Sequence, residues 1–498
     1  MFNIIKLNEK DNIGIAPMNI PENAKLSNGI KSINNVPYGH KISLQEIKKG
    51  DFIIRYGQII GISSNDIQKG EHVHSHNLTF YESERNYTNK FKEDIVDKSK
   101  EQKYFKGYKR NNGSSGTRNY IGLISTVNCS ATVVKKIADK VNHKLKKANF
   151  VNIDGAVCLK HSSGCGMNTS GHGMKIFNQT IEGFKKHPNF AKVFVIGLGC
   201  ECAQISLYKD KDDNVVYMNI QDLGGTKKII EKVNDQILEM LPDLNRTKRQ
   251  KIPISEITLA LQCGGSDSYS GITANPALGI ASDLIVKHGG NTILSETPEI
   301  YGAEHLLIER ACNTEIIKKL TRQIEWWKNY TKINEGSLDN NPSPGNKKGG
   351  LTTILEKSLG AVAKSGTSIM QDVLDYAEPI AKKGFNFMDS PGYDPVSVTG
   401  QVASGSNIIV FTTGRGSCFG FKPTPSIKVA TNTNMYNKLK EDMDINAGTI
   451  MDGESDIEKI GLEIFHSIID TASGKLTKSE VNGYGDDEFN PWVIGATL

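Results

Sequence analysis

No stretch of the chain approaches the roughly 20 consecutive apolar residues that a membrane-spanning helix needs, and the opening MFNIIKLNEKDN has no long apolar run of the signal-peptide kind. A cytoplasmic protein without a membrane partner is the expectation. An excess of one charge is also missing. Sixty Lys and Arg face 55 Asp and Glu, a formal net charge of +5, and the lysines are interspersed with acids rather than gathered in a block, which argues against nucleic acid as a partner. Cysteine is sparse, eight in 498 residues, and in a long chain without export signals that count points to metal ligation or reactive thiols rather than a disulfide framework. There is no internal repeat.

What is present fits a globular protein of two or three domains: 38% hydrophobic and 23% charged residues over a length too great for one core. Residues 1–84 hold short β-like runs (DFIIRYG, QIIGISS) and read as a small β-rich module. Residues 85–119 turn polar and read as a linker. From 120 to 250, strand-like YIGLISTV, NIDGAVCL and KVFVIGLG alternate with helical periods, which predicts a parallel α/β sheet. A second such series, 251–498, runs through ITLALQCGG, NTILSET, FNFMDSP, NIIVFTTGRG and SIKVATNT, interrupted by a Gly-, Pro- and Asn-rich loop at 333–353.

Four cysteines share one placement, just beyond an apolar strand: Cys129, Cys165, Cys200 and Cys263. Sites in open parallel sheets gather at the carboxyl ends of strands, and thiolates converging there could bind iron or an iron–sulfur cluster; the bland alternative is four small buried residues. Cys158, Cys202, Cys312 and Cys418 read as structural. In GEHVHSHN, His72, His74 and His76 at spacing two would project from one face of a strand, suited to metal ligation or proton transfer. VIGLGCEC has two glycines of a dinucleotide fingerprint, but Cys202 occupies the place of the third, so nicotinamide binding is not expected. Arg415, between two glycines at a strand end, could clamp a carboxylate. With Asn346 and Lys347 of NPSPGNKKGG and Glu296 and Glu299 of SETPE, it sketches an anionic-substrate pocket with carboxylates for metal or proton work.

The motifs GHKISLQEIKKGDFIIRYGQIIG, GEHVHSHN, GYKRNNGSSGTRN, HSSGCG, VIGLGCE, LQCGGSDSYSGITANPALG, SETPEIYGAEHLL, NPSPGNKKGGLTTILEKSLG and TTGRG, spread over nearly the whole length, resemble the altronate and galactarate dehydratase family of sugar-acid dehydratases, its altronate branch above all. The resemblance implies an N-terminal β-clip domain of the SAF type, a middle α/β domain and a C-terminal Rossmann-like α/β domain. It implies a ferrous-iron-dependent hydro-lyase, dimeric, turning a hexonate into a 2-keto-3-deoxy acid; for altronate this is 2-keto-3-deoxygluconate. Galactarate dehydration, sulfolactate cleavage and non-catalytic sugar-acid binding are the alternatives.

On that basis iron is expected on Cys129, Cys165, Cys200 and Cys263, either as a cluster or, with harder ligands such as Glu296 or Asp267, as a mononuclear ferrous ion for which manganese could substitute. Arg415, Asn346, Ser266 and Asn275 are the expected substrate contacts. His72, His74, Lys347 and Glu296 are the expected catalytic groups.

Overall fold

The computed structural model describes residues 1–82 and 102–495. The N-terminal module consists of two three-stranded antiparallel sheets, Ile13–Ile15, Lys41–Ser43 and His72–Val73 in one, Phe52–Arg55, Gln58–Ser63 and Leu78–Thr79 in the other. The hairpin that joins Arg55 to Gln58 turns through Tyr56 (φ 58°) and Gly57 (φ 68°), the two left-handed positions of a tight hairpin turn. It holds Arg55 and Tyr56 at the hairpin tip, Arg55 buried and Tyr56 half-buried. The strand reading of His72, His74 and His76 needs correction. The strand ends at Val73, and the His74 carbonyl accepts from the Asn77 and Leu78 amides, so His74 and His76 stand in a turn.

The second half of the expected linker is also ordered. Residues Tyr104–Lys109 pair antiparallel with Gln250–Pro253, and Ser115–Gly116 adds a third strand. Phe105 and Tyr108 are buried there, an apolar signal diluted in the sequence by its lysines; residues 85–101 of that linker, with 83 and 84 before it, lie outside the described residues.

The middle domain is a four-stranded parallel sheet built from β1 (Tyr120–Ser125), β2 (Gly155–Leu159), β3 (Phe190–Gly197) and β4 (Val215–Asn219), in the order β2-β1-β3-β4. Helices α1 (Asn128–Lys147) and α3 (Thr226–Leu244) cover one face, where Ile121 and Leu123 meet Val133, Ile137, Ile229 and Val233. On the other face α2 (His172–Lys185) lies against the C-terminal domain: Ile124 and Phe177 share a core with Val398, Val402 and Phe411.

The C-terminal domain is a seven-stranded parallel sheet. Its strands are β5 (Thr258–Cys263), β6 (Asn291–Ser295), β7 (Met370–Leu374), β8 (Phe385–Met388), β9 (Ile408–Thr413), β10 (Ser426–Ala430) and β11 (Ile445–Asn446), in the order β7-β8-β6-β5-β9-β10-β11. The wholly buried strands β5, β6 and β9 explain the continuous apolar runs of the sequence. From β5 the chain proceeds to β6 on one side, and from β9 to β10 on the other. The carboxyl ends of β5 and β9 therefore flank the switch point at which such sheets open a crevice. No described helix is long and apolar enough to cross a membrane.

Two interior histidines set an acid limit on this fold. The His161 and His187 rings accept a backbone N–H at Nδ1 (from Ser163 at 3.1 Å and Asn189 at 3.2 Å), while Nε2 faces the carbonyls of Ser125 and Ser406. Each ring is therefore held neutral, and burial pushes both down to about 4. The unfolded chain takes up these protons near 6.5 and the folded chain only near 4. Their contribution is intact above pH 6.5 and lost as pH falls toward 4. At about 1.4 kcal/mol per pH unit, the loss is on the order of 3 kcal/mol for each ring. Urea unfolding at pH 7 and pH 4.5 should show the fall, and His187→Gln should reduce the pH dependence.

Candidate active site

At the switch point of the seven-stranded sheet the loops after β5 and β9 are locked together. The amides of Gly414 and Arg415 donate to the Gly265 carbonyl at 3.1 and 2.8 Å. A Cβ at Gly414 would lie 2.1 Å from the Asp267 carboxyl carbon, so only glycine allows this approach. Beside the loops lies a cavity of about 470 Å³, closed on one side by Tyr38 of the N-terminal module and lined by Asp267, Asn432, Arg415, Lys348 and Lys438. Among the described residues Arg415, Lys348 and Lys438 form no ion pair. The cavity therefore presents uncommitted cations, as an anionic ligand requires.

On the module side stand four histidines. His40 Nδ1 lies 3.0 Å from His72 Nε2, and the ring centroids of His40–His74, His72–His74 and His72–His76 are 4.7, 5.7 and 5.3 Å apart. Their opposite partners are backbone carbonyls of the C-terminal domain: His74 Nε2 is 2.9 Å from the Lys347 oxygen and His40 Nε2 3.3 Å from that of Lys348. Burial, then the neighbouring cations and imidazoles, push His72 down to about 3 and His74 down to about 4. His72 and His74 are thus neutral near pH 7.

The module is fastened there by a buried ionic triad. Lys41 Nζ lies 2.9 Å from Glu356 and also donates to the Gly350 carbonyl at 2.6 Å, while Arg55 pairs with the second Glu356 oxygen and donates to the Ser268 carbonyl at 2.7 Å. All three side chains are fully buried. Burial alone would raise the Glu356 carboxyl, but Lys41 and Arg55 overcome it and hold it down at about 2.

Behind the wall formed by Asp267, which also lines a small second cavity together with Cys263 and Lys357, lies an enclosed cluster of acids. Among the described residues, Cys263, Glu296 and Glu299 form the one trio whose ligand atoms all lie within 4.8 Å of one another. Lys364 Nζ donates to Cys263 Sγ at 2.8 Å, and Lys357 Nζ to Glu299 Oε1 at 2.7 Å. Asp394 adds a fourth acid, close enough that a Cβ at Gly264 would meet its Oδ2 at 2.1 Å. Glu296 departs most from ordinary chemistry. Its backbone is left-handed, φ 75° and ψ 72°, a conformation that costs energy for a non-glycine residue, and neither carboxylate oxygen has a hydrogen-bond partner. Burial and then Glu299 push Glu296 well up, and Asp394 is likewise pushed up to about 7. Glu299 is instead pulled down by Lys357 against the effect of burial.

With two lysines among these acids, burial holds Glu296, Asp394 and the Cys263 thiol toward their protonated forms, and only Glu299 is pulled down. A divalent cation would satisfy the orphaned Glu296 oxygens. One thiolate with several carboxylate oxygens is a donor set suited to ferrous iron or manganese.

The other expected residues fall into place differently. The Asp267 carboxylate accepts from the Tyr269 and Ser270 amides (3.1 and 3.0 Å), from the Ser270 and Thr431 hydroxyls (3.1 and 2.9 Å) and from Asn432 Nδ2 (3.1 Å). Those five donors saturate it as the knot of the crevice, in place of the expected metal ligand. Asn275 is consumed between the Gly360 carbonyl and the Thr412 hydroxyl, and Asn346 between the Ser266 carbonyl and the Ser343 cap; both build the walls instead of contacting a ligand. Ser266 lines the smaller cavity. Lys347 supplies a carbonyl to His74, and it is Lys348 whose side chain lines the large cavity.

The four strand-end cysteines do not form one set. Cys129, Cys165 and Cys200 are exposed in the middle domain, whereas Cys263 is buried in the C-terminal domain. Sequence reasoning missed His40, Asp394, Lys357 and Lys364. The spacing of seven between the two lysines, along the mostly apolar Ile354–Ala363 helix and its cap, was a usable signal, because it places both on one face.

Residues 2–80 match the altronate/galactarate dehydratase SAF domain, 107–245 the D-galactarate dehydratase/altronate hydrolase second domain, and 254–497 the D-galactarate/altronate dehydratase C-terminal domain. An altronate dehydratase of Bacillus subtilis is 37% identical over 514 residues, covering 100% of both chains. A galactarate dehydratase (L-threo-forming) of Escherichia coli is 37% identical over 486 residues, 95% of this chain and 93% of its own. An altronate dehydratase of Escherichia coli is 34% identical over 506 residues, 99% of each. With all three domain models matched in order and full-length relatives of this similarity, the chain belongs to the altronate/galactarate dehydratase family.

Proposed function

We propose that the protein removes water from a hexonate, D-altronate foremost, to give the 2-keto-3-deoxy acid. On this reading the cationic cavity holds the substrate, and the Cys263–Glu296–Glu299 chamber holds a ferrous ion, with manganese as its substitute. The observation that carries the reading is the pairing of uncommitted cations in the cavity with orphaned carboxylate oxygens behind its wall. Arg415 clamps the substrate carboxylate through two parallel hydrogen bonds and Lys348 adds charge, which fixes C2 and C3 in the crevice. The C2 proton passes to a neutral imidazole, His74 or His72. The imidazolium so formed returns it to the departing C3 hydroxyl, so that water leaves and the resulting enol ketonises to the 2-keto acid. The carbonyls of Lys347 and Lys348 favour protons on the Nε2 atoms of His74 and His40 and orient the rings. Tyr38 of the docked module shields one side of the cavity from bulk water. A ferrous ion would act as Lewis acid on the charge that develops as the proton leaves.

The test is anaerobic turnover of altronate with ferrous iron, read as 2-keto acid with semicarbazide. Iron-loaded protein that binds altronate but forms no keto acid would make it a binding protein. Arg415→Ala should raise KM about tenfold to a hundredfold, the worth of a charged hydrogen bond to carboxylate. One observation favours a second reading, galactarate: Lys438 supplies a further cation to the same cavity, where a distal carboxylate could meet it. Lys438→Ala should then depress galactarate turnover selectively, and should leave altronate turnover nearly unchanged if the monoacid is the substrate.

A further inference from the structure

The middle domain carries a site of its own that the dehydration reading does not use. In its sheet, order β2-β1-β3-β4, the chain leaves β1 for β2 on one side and β3 for β4 on the other. The carboxyl ends of β1 and β3 thus flank a second switch-point crevice. Each connection at that end brings one exposed, free cysteine: Cys129 in the first turn of α1 after β1, Cys165 after β2 and Cys200 after β3. The loops are interlocked. The Asn128 amide donates to the Ser163 carbonyl at 3.0 Å, the Ala203 amide to that of Gly164 at 3.1 Å, and the Thr126 hydroxyl to Glu201 Oε1 at 2.6 Å. Helices α1 and α2, of 20 and 14 residues, both begin here with no side-chain cap and no acid in the first turn. Their unneutralised amino ends favour negative charge.

We infer that Cys129, Cys165 and Cys200 hold a cubane iron–sulfur cluster in this crevice, with one iron corner free of cysteine. Three soft thiolates select iron–sulfur chemistry over a hard ion, and the neighbouring Glu201 carboxylate is already engaged by the Thr126 hydroxyl and the Leu198 and Gly199 amides. Spacing separates the cluster from a single bound ion. Ligands of one ion with bonds of about 2.3 Å span at most about 4.6 Å, and these three sulfurs are not a trio lying within 4.8 Å of one another; a cluster sets its thiolates on separate corners. Each thiol loses its proton as its Fe–S bond forms. The inference does not depend on the substrate, nor on the Glu296 chamber.

The protein reconstituted anaerobically with ferric iron, dithiothreitol and sulfide should bind about four irons and four acid-labile sulfides per chain, absorb in the visible and give a Mössbauer spectrum of a cubane. Cys129→Ser, Cys165→Ser and Cys200→Ser should each reduce sulfide to background, whereas Cys418→Ser and Glu296→Gln retain it. Should a serine variant fail to fold, alkylation of the wild-type protein supplies the same evidence: the three thiols are labelled before reconstitution and protected after it. Retention of sulfide in well-folded serine variants, unprotected thiols, or binding of zinc without sulfide would overturn the assignment. Loss of altronate turnover with the cluster intact would instead count against the proposed reaction.

Discussion

Replacing Glu296 by glutamine is expected to lower kcat by on the order of 10³-fold, because a divalent ion held there contributes several kcal/mol of charge stabilisation. The change is nearly isosteric, and the carboxylate accepts no hydrogen bond that could be lost. Glutamine also removes a carboxyl whose burial disfavours its charged form, so the folded state should be no less stable. Ferrous titration, thermal unfolding and anaerobic turnover on the one variant should therefore diverge: weaker iron binding and lost activity with an unchanged or raised melting temperature. Unchanged iron binding and turnover would make the Glu296 backbone strain a structural accident.

Glu356→Ala should destabilise the protein by about 3–5 kcal/mol, the consequence of leaving buried charges unpaired, since Lys41 and Arg55 would then both lack their acid. The loss falls at the boundary between the N-terminal module and the C-terminal domain. It should therefore also displace His40, His72 and His74 from the carbonyls of Lys347 and Lys348 and lower kcat. Urea unfolding measures the first effect and anaerobic turnover the second. Replacing Lys41, Arg55 and Glu356 together by apolar residues of similar volume should restore much of the stability. If the single variant unfolds like the parent, the triad does not hold the module in place.

Much of the fold was legible because the apolar runs of β1, β3, β5 and β9 are long, continuous and punctuated by glycine. The strand Tyr104–Lys109 was not, because its alternation is short and diluted by charge and its partner lies more than 140 residues away, at Gln250–Pro253. Within the site, sequence identified chemistry better than geometry. Glu296 and Arg415 were picked for their type and do face the chamber and the cavity. Asp267, Asn275 and Asn346 were picked on the same grounds, yet hydrogen bonds from distant segments consume them, which no local pattern reveals. Likewise, placement beyond a strand marked Cys129, Cys165, Cys200 and Cys263 equally but could not tell which sheet each strand belongs to. His40 escaped notice because its nearest imidazole is 32 positions away.

The central claim is that one chamber, behind the cationic cavity, seats the metal used in dehydration. Anomalous diffraction at the iron edge, on anaerobic crystals soaked with ferrous iron and altronate, tests it directly. The account predicts iron density among Cys263, Glu296 and Glu299, lost in Glu296→Gln, with altronate lying against Arg415. Iron confined to the middle domain in crystals that still turn altronate over would contradict it.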